Sequence, residues 1–217
     1  MRLFLAVGGI SKLYNFNTTG GTSARIISKT TESFLNYTGY TAGFFLGTGA
    51  VFLSLSSNGN QINFTSNLIN NANVLYNITI VKRLGLTDTC VDIYINGMLT
   101  TINVTGFINT DFKSNTPINI GRFNNIFSGY YNGNIYDLKI FNKALTQEEV
   151  LKLYNLEIPP TAKNNLIFDM PFEQLNKVGS NVFTPELVAG NNGQLIGYPT
   201  GAKGIVDVNG NDIQLVP

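Results

Sequence analysis

The sequence predicts an all-β protein, a two-sheet antiparallel sandwich carrying one short helix near residues 147–155. Short alternating or apolar runs recur along the chain, separated by Gly, Asn and Ser, which is the spacing of short strands joined by tight turns. Only within 146–154 does the hydrophobic period lengthen to that of a helix, and a capping sequence stands in front of it. At 217 residues the chain suits one large β domain or two small ones and is long enough to bury a sizeable core.

The opening MRLFLAVGGI holds one Arg and a short apolar run. It is too short to span a bilayer and lacks a small-x-small cleavage pattern, so a first strand over 3–7 is expected rather than a signal peptide. Further strands are expected over 24–29, 43–46, 50–56, 61–65 and 74–82, each bounded by turn-forming residues. Cys90, the sole Cys, excludes an internal disulfide framework and reads as a small apolar residue at the edge of a strand over 90–96. Val91, Ile93 and Ile95 alternate into Asn96-Gly97, and Leu99, Thr101 and Asn103 leave it in a strand over 98–104. Asn-Gly supplies the two positive φ angles of a type I′ hairpin turn.

After a strand over 117–121 comes NGNIYDLKIFNKALTQEEVLKLYN, residues 132–155. Its strand, 134–142, sets Tyr136, Leu138 and Ile140 on one face and Asp137 and Lys139 on the other. Thr146 then starts the helix. Its hydroxyl can accept from the Glu149 NH while the Glu149 carboxylate reaches back to the Thr146 NH, with Leu145 and Val150 as a hydrophobic staple. Val150, Leu151, Leu153 and Tyr154 form the stripe expected to pack onto the sheet.

The run of Gly133, Ile135, Asp137, Leu138, Ile140, Phe141, Ala144, Leu145, Glu149 and Tyr154 resembles the closing segment of laminin-G-like domains in the concanavalin A-like lectin and glucanase superfamily. VDIYINGMLTT is similar to the hairpin of those domains, PINIGRF to a later strand and ARIISKT to an early inner one, so the resemblance covers about residues 24–155. It implies a two-sheet antiparallel jelly-roll sandwich of the concanavalin A-like type.

Beyond the helix, Ile158-Pro159-Pro160 reads as an extended breaker. The expected organisation is a main part of the sandwich over 1–157, a Pro-containing linker over 158–162 and a tail over 163–217. In the tail, NLIFDMPFE, NNGQLIGYPTGAKGI and DVNGNDIQLVP look like the opening strand, loop and next strand of the same family, which there precede the segment found here near residue 1. Three arrangements stand open: a circular permutation whose tail supplies opening strands to its own sandwich, donation of those strands to a neighbouring subunit, or a separate small domain.

Charged residues make up only 12% of the chain, the net charge is +1, and no Lys or Arg run appears. Nucleic acid and anionic membrane surfaces are therefore not expected partners, and no run approaches the length of a membrane span. The polar surface is built from Asn, Thr, Ser and Gly, which suit turns and hydrogen bonding to neutral partners. Five Asn-x-Thr sequons, at Asn17, Asn36, Asn63, Asn77 and Asn103, are about what this composition gives by chance. An Asn-rich, Cys-poor, His-free β-sandwich is compatible with a bacteriophage virion component.

The chain has no His, so His-dependent triads and His-based zinc sites are excluded. The family's glucanases carry closely spaced acidic residues along one strand, and no such E-x-D-x-x-E element occurs. Glu148 and Glu149 sit in a first helical turn, where carboxylates stabilise the helix dipole. No enzyme activity is expected. Calcium is the one cofactor the resemblance implies: Asp137 matches the second acidic position of the family's G-x-I-D-D element, although Tyr136 replaces the first, and Asp212 could approach it if the tail docks.

The loop 122–133 is the candidate ligand site, with Arg122, Phe123, Asn124, Asn125, Tyr130, Tyr131 and Asn132 as candidate contacts. Sugar recognition wants an aromatic face for the apolar side of the ring and planar amides for paired hydroxyls, and this loop offers both. A second aromatic group comprises Tyr37, Tyr40, Phe44 and Phe45. The expected function is a noncatalytic lectin-like binding or decoration module, on a virion or another extracellular surface, that contacts host glycans or cell-surface polysaccharide as a homo-oligomer or part of a larger assembly. The alternative is a structural virion protein that uses the sandwich for subunit packing, and a glycan-degrading enzyme is the least supported reading.

Overall fold

A computed structural model of the chain describes residues 5–13, 23–31, 37–45, 48–67, 74–87, 89–108, 112–123, 131, 133–172, 175–178, 181–190, 193–195 and 215–216. In chain order the elements are β1 (Leu5–Leu13), β2 (Ser23–Thr30), β3 (Gly39–Phe45), β4 (Val51–Ser57), β5 (Asn60–Ser66), β6 (Leu75–Lys82), β7 (Val91–Ile95), β8 (Met98–Leu99), β9 (Ile102–Gly106), β10 (Asn119–Ile120) and β11 (Gly133–Phe141). Then follow α1 (Gln147–Tyr154), α2 (Pro160–Lys163), β12 (Leu166–Met170), β13 (Leu175–Val178), β14 (Asn181–Thr184), β15 (Gly193–Leu195) and β16 (Leu215–Val216).

Two six-stranded antiparallel sheets face each other, as the alternating pattern requires. The first has the order β12-β11-β1-β6-β7-β8 and the second β10-β2-β3-β4-β5-β9. Between them lies a core that includes Ile27, Phe44, Leu53, Leu55, Phe64, Ile93 and Leu138, all essentially sealed from solvent. Each such side chain stabilises the fold by about 1.5–3 kcal/mol relative to exposure. Cys90 is part of this core. A third sheet, β15-β14-β13-β16, is formed by the tail.

Asn96 and Gly97 have φ of 52° and 76°, the type I′ conformation that Asn-Gly favours, and they join β7 to β8. The single strand expected over 98–104 is instead two. β8 finishes the edge of the first sheet, and after Thr100 and Thr101 the chain crosses to β9, the edge of the second. Alternation continues through such a crossing, so the pattern alone does not reveal it.

Thr146 and Glu149 form the capping box, and Leu145, Val150 and Leu153 bury against Val81, Tyr94 and Phe141 on the outer face of the first sheet. Leu151 and Tyr154, expected in the same stripe, are largely exposed. At 100° per residue, positions 150 and 153 face the sheet while Leu151 turns away from it and Tyr154 lies at its rim over Gly97. The breaker expected over 158–162 contains a helical turn, α2, begun by Pro160, where the missing NH and fixed φ of proline are suited to a first helical residue.

β12 pairs antiparallel with β11 of its own chain, Leu138 opposite Met170 and Lys139 opposite Asp169. Its outer side is bonded in turn to the segment after β14. The Asp169 NH donates to Glu186 Oε1 at 2.9 Å and the Leu187 NH to the Asp169 carbonyl at 2.8 Å.

Candidate functional site

The outer face of the second sheet follows from the phase of its strands. Val51, Leu53 and Leu55 of β4 point into the core, so Phe52, Ser54 and Ser56 point away from it. Cross-strand register then aligns two rows. One runs Ser28, Thr41, Ser54, Asn63, Thr105, and the other Arg25, Gly43, Phe52, Thr65, Asn103. Hydroxyls and amides fill the first row, and Gln61 adds a hydrogen bond to Ser54 Oγ. Exposure rises across the face: Ser28, Thr41 and Ser54 are buried, Asn63 and Thr65 half-buried, Asn103 and Thr105 exposed.

At the β2 end this face meets an aromatic cluster. The Arg25 guanidinium carbon lies 4.8 Å from the centre of the Phe123 ring and 5.8 Å from that of Phe52. Tyr37 meets Phe123 edge-on at 5.2 Å, and Phe45 packs on Phe52 at 4.6 Å between ring centres. Gly43 makes this arrangement possible. A Cβ there would stand 2.0 Å from the Ala24 carbonyl oxygen, where the β2–β3 ladder shifts register, and without a side chain at 43 nothing stands between Arg25 and Phe52 in their row. Burial pulls the Arg25 pKa below the usual arginine value, partly offset by Tyr37.

Of the residues expected to contact ligand, Phe123 is buried in this cluster and Tyr131 stacks on the core residue Phe44 at 6.1 Å. Both therefore anchor the loop to the sandwich, and neither presents an open ring to solvent. Arg122 places its carbonyl oxygen 3.1 Å from Ser28 Oγ, which donates to it. Asn124, Asn125, Tyr130 and Asn132 lie outside the described residues. In the second aromatic group, Tyr40 and Phe44 belong to the core, while Tyr37 and Phe45 border Phe123 and Phe52. Arg25 and Phe52 were not anticipated, although an aromatic in the polar phase of a strand, Phe52 with Ser54 and Ser56, is a signal that could have found the second.

Asp137 has a different setting on the outer face of the first sheet. Its two carboxylate oxygens lie 2.6 and 2.7 Å from Lys139 Nζ, which also stands 3.2 Å from Asp169 Oδ1. Burial works to lower the Lys139 pKa, but the two carboxylates outweigh it and hold it above the ordinary lysine value. Calcium takes six to eight oxygens, and here an ammonium already occupies the space between the carboxylates. The residues described at Asp137 therefore do not fit the ion, and no group of three or more metal-binding side chains occurs among the described residues. Asp212 lies outside them.

Two facing antiparallel sheets, a helix docked on one and a polar face on the other define a lectin-like sandwich. Residues 14–151, more than half of the chain, match the laminin-G family model described as "Concanavalin A-like lectin/glucanases superfamily". The chain belongs to that superfamily. No curated protein matches it in sequence. Among solved structures, full-length tailspike protein 2 of an Escherichia coli O157:H7 bacteriophage is similar at 14% identity and a TM-score of 0.48, over 76% of this chain and 23% of that one. The enzymatically active domain of bacteriophage CBA120 tailspike protein 2 gives 15% and 0.47, over 76% of this chain and 26% of that one. A "putative carbohydrate binding protein" from Bacteroides ovatus gives 12% and 0.47, over 89% and 58%. The chain thus spans about a quarter of the tailspike structures and under two thirds of the third.

Proposed function

We propose that this protein is a noncatalytic glycan-binding module that holds a short oligosaccharide against the outer face of its second sheet. The observation that carries the reading is the row of hydroxyls and amides crossing β3, β4, β5 and β9 beside an aromatic cluster. Thr41 and Ser54 are buried, so the part of this face open to a sugar is on β5 and β9, where Asn63 and Thr65 are half-buried and Asn103 and Thr105 exposed. Asn and Thr side chains there can pair with sugar hydroxyls.

What supports the absence of catalysis is charge. None of the six strands of this sheet contains an Asp or Glu, whereas glycoside hydrolysis ordinarily needs two carboxylates across the scissile bond. Elsewhere Asp92 pairs with Arg83, Asp137 and Asp169 with Lys139, and Glu149 with Lys143. The setting we propose is a virion or comparable extracellular surface, where weak contacts repeated over many copies give avidity.

A glycan array tests this. Wild type should retain one group of related glycans, and Asn63→Ala with Asn103→Ala should weaken retention at least tenfold with unchanged melting temperature. Absence of binding by a multivalent sample to every glycan would end the reading.

One observation favours subunit packing as a second role. Met98 and Leu99, on the edge strand β8, are exposed beside Tyr154, which covers Gly97. Apolar edge strands are otherwise protected by pairing. If packing is the role, Leu99→Lys should convert an oligomer to monomer in light scattering.

A further inference from the structure

We propose that Arg25 is the anion-recognising end of this surface, so that the glycans selected carry a carboxylate, as uronic and nonulosonic acid units do. The inference rests on the glycan-binding reading above and names the class of sugar that the site takes. On the six strands of the second sheet the only charged residues are Arg25 and Lys29, both cationic. Lys29 Nζ is bound by the Thr116 carbonyl, and its strand neighbour across the ladder is the core residue Tyr40. Arg25 alone of the two sits on the polar face.

Its bonding is incomplete. Nη1 donates to the Ser23 carbonyl at 3.1 Å, Nε is buried and finds no acceptor, and among the described residues no carboxylate pairs with it. Arg25 is half-buried, and a cation partly withdrawn from water without a counter-ion loses hydration that a neutral side chain would not. The Phe52 and Phe123 rings supply cation–π attraction and fix the group in place, yet they cannot accept its in-plane NH donors. A partner must therefore approach along the edge of the guanidinium, and a planar carboxylate is the anion whose two oxygens match two such donors. Further units of the oligosaccharide would cross the sheet to Asn63 and Thr65 on β5 and to the exposed Asn103 and Thr105 on β9.

The test uses the full chain with polygalacturonate, hyaluronan and polysialic acid, each beside its carboxyl-reduced form, in affinity electrophoresis. The expected result is at least tenfold tighter binding of one acidic form than of its reduced counterpart. Arg25→Gln should abolish that preference while melting at or above the wild-type temperature. Arg25→Lys, which keeps the charge but loses the fork, should retain only part of it.

Equal binding of acidic and reduced forms by wild type would overturn the proposal and leave the glycan reading standing. So would a preference that survives in Arg25→Gln. A fall of more than about 5 °C in the melting temperature of both variants would assign Arg25 a structural role instead, on the scale expected of a lost stabilising contact. Failure to bind any acidic, reduced or neutral glycan would overturn both readings together.

Discussion

Replacing Glu149 by Ala should lower the stability of the protein by about 3 kcal/mol, because one buried carboxylate joins three parts of the chain. Oε1 accepts from Lys143 Nζ and from Thr161 Oγ1, each at 2.6 Å, and Oε2 accepts from the Thr146 NH at 2.9 Å. The capping bond and the Thr161 bond contribute about 1 kcal/mol each, and the pair with half-buried Lys143 about 1 kcal/mol after discounting for its contact with solvent. For a domain of this size the melting temperature should fall by about 6–12 °C, measured by calorimetry at pH 7.

Burial alone would raise the Glu149 pKa, but the bonds from Lys143, Thr161 and the Thr146 NH outweigh it and hold the folded value below the ordinary one. The contribution is therefore complete above the unfolded value, about 4.3, and is lost as pH falls through the folded one. The gap between wild type and variant should narrow below about pH 4 accordingly. In a double-mutant cycle Thr161→Val should couple to Glu149→Ala by about 1 kcal/mol, since the two share a bond. A fall of under about 2 °C for Glu149→Ala would refute the idea that this carboxylate is a junction.

Lys139→Met should destabilise by about 3 kcal/mol in urea unfolding, because Asp137 and Asp169 are left facing each other without their cation. The raised Lys139 pKa means that its contribution is complete below about pH 10 and is lost as pH rises through the folded value. Wild type should melt at the same temperature in EDTA and in millimolar calcium, and a calcium-dependent rise would show that a cation competes for the site. We propose that the tail folds as one unit with the sandwich. A chain ended at residue 157 loses β12 and Ala162 and uncovers the edge of β11, so it should aggregate or melt more than about 10 °C lower. An unchanged melt would mark the tail as independent.

Much of the fold was legible because its signals are local. The capping box at Thr146 and Glu149 and the Asn96-Gly97 turn lie within four residues of themselves, and backbone chemistry decides both. The split between β8 and β9 was not legible, since one alternating run serves two sheets equally well until the edges are placed. The site was read from its loop: Phe123 does belong to the cluster, but as a buried wall rather than an exposed platform. Its partner Arg25 lies almost a hundred residues earlier, in a strand that also holds Lys29 and whose local pattern gives neither cation special meaning. Only register across Gly43 brings Arg25 and Phe52 together. The Lys139 bridge was half visible, as two charges two apart on one strand face, while its third member came from β12 on the tail.

The position of β1 has a consequence for how the chain is made. It lies between β6 and β11, antiparallel to both, so the middle of the first sheet is assembled from the opening of the chain and from segments about 70 and 130 residues later. β1, synthesised before β6 and β11, must remain without its β11 neighbour until most of the sandwich has been made, and β12 can join only after that. Closure of this sheet is therefore a late, long-range event with a large loop-closure entropy, and it is slow compared with formation of the β2–β5 meander, whose partners are adjacent in sequence. The meander carrying the polar face can form early, and the sheet that bears the helix closes last.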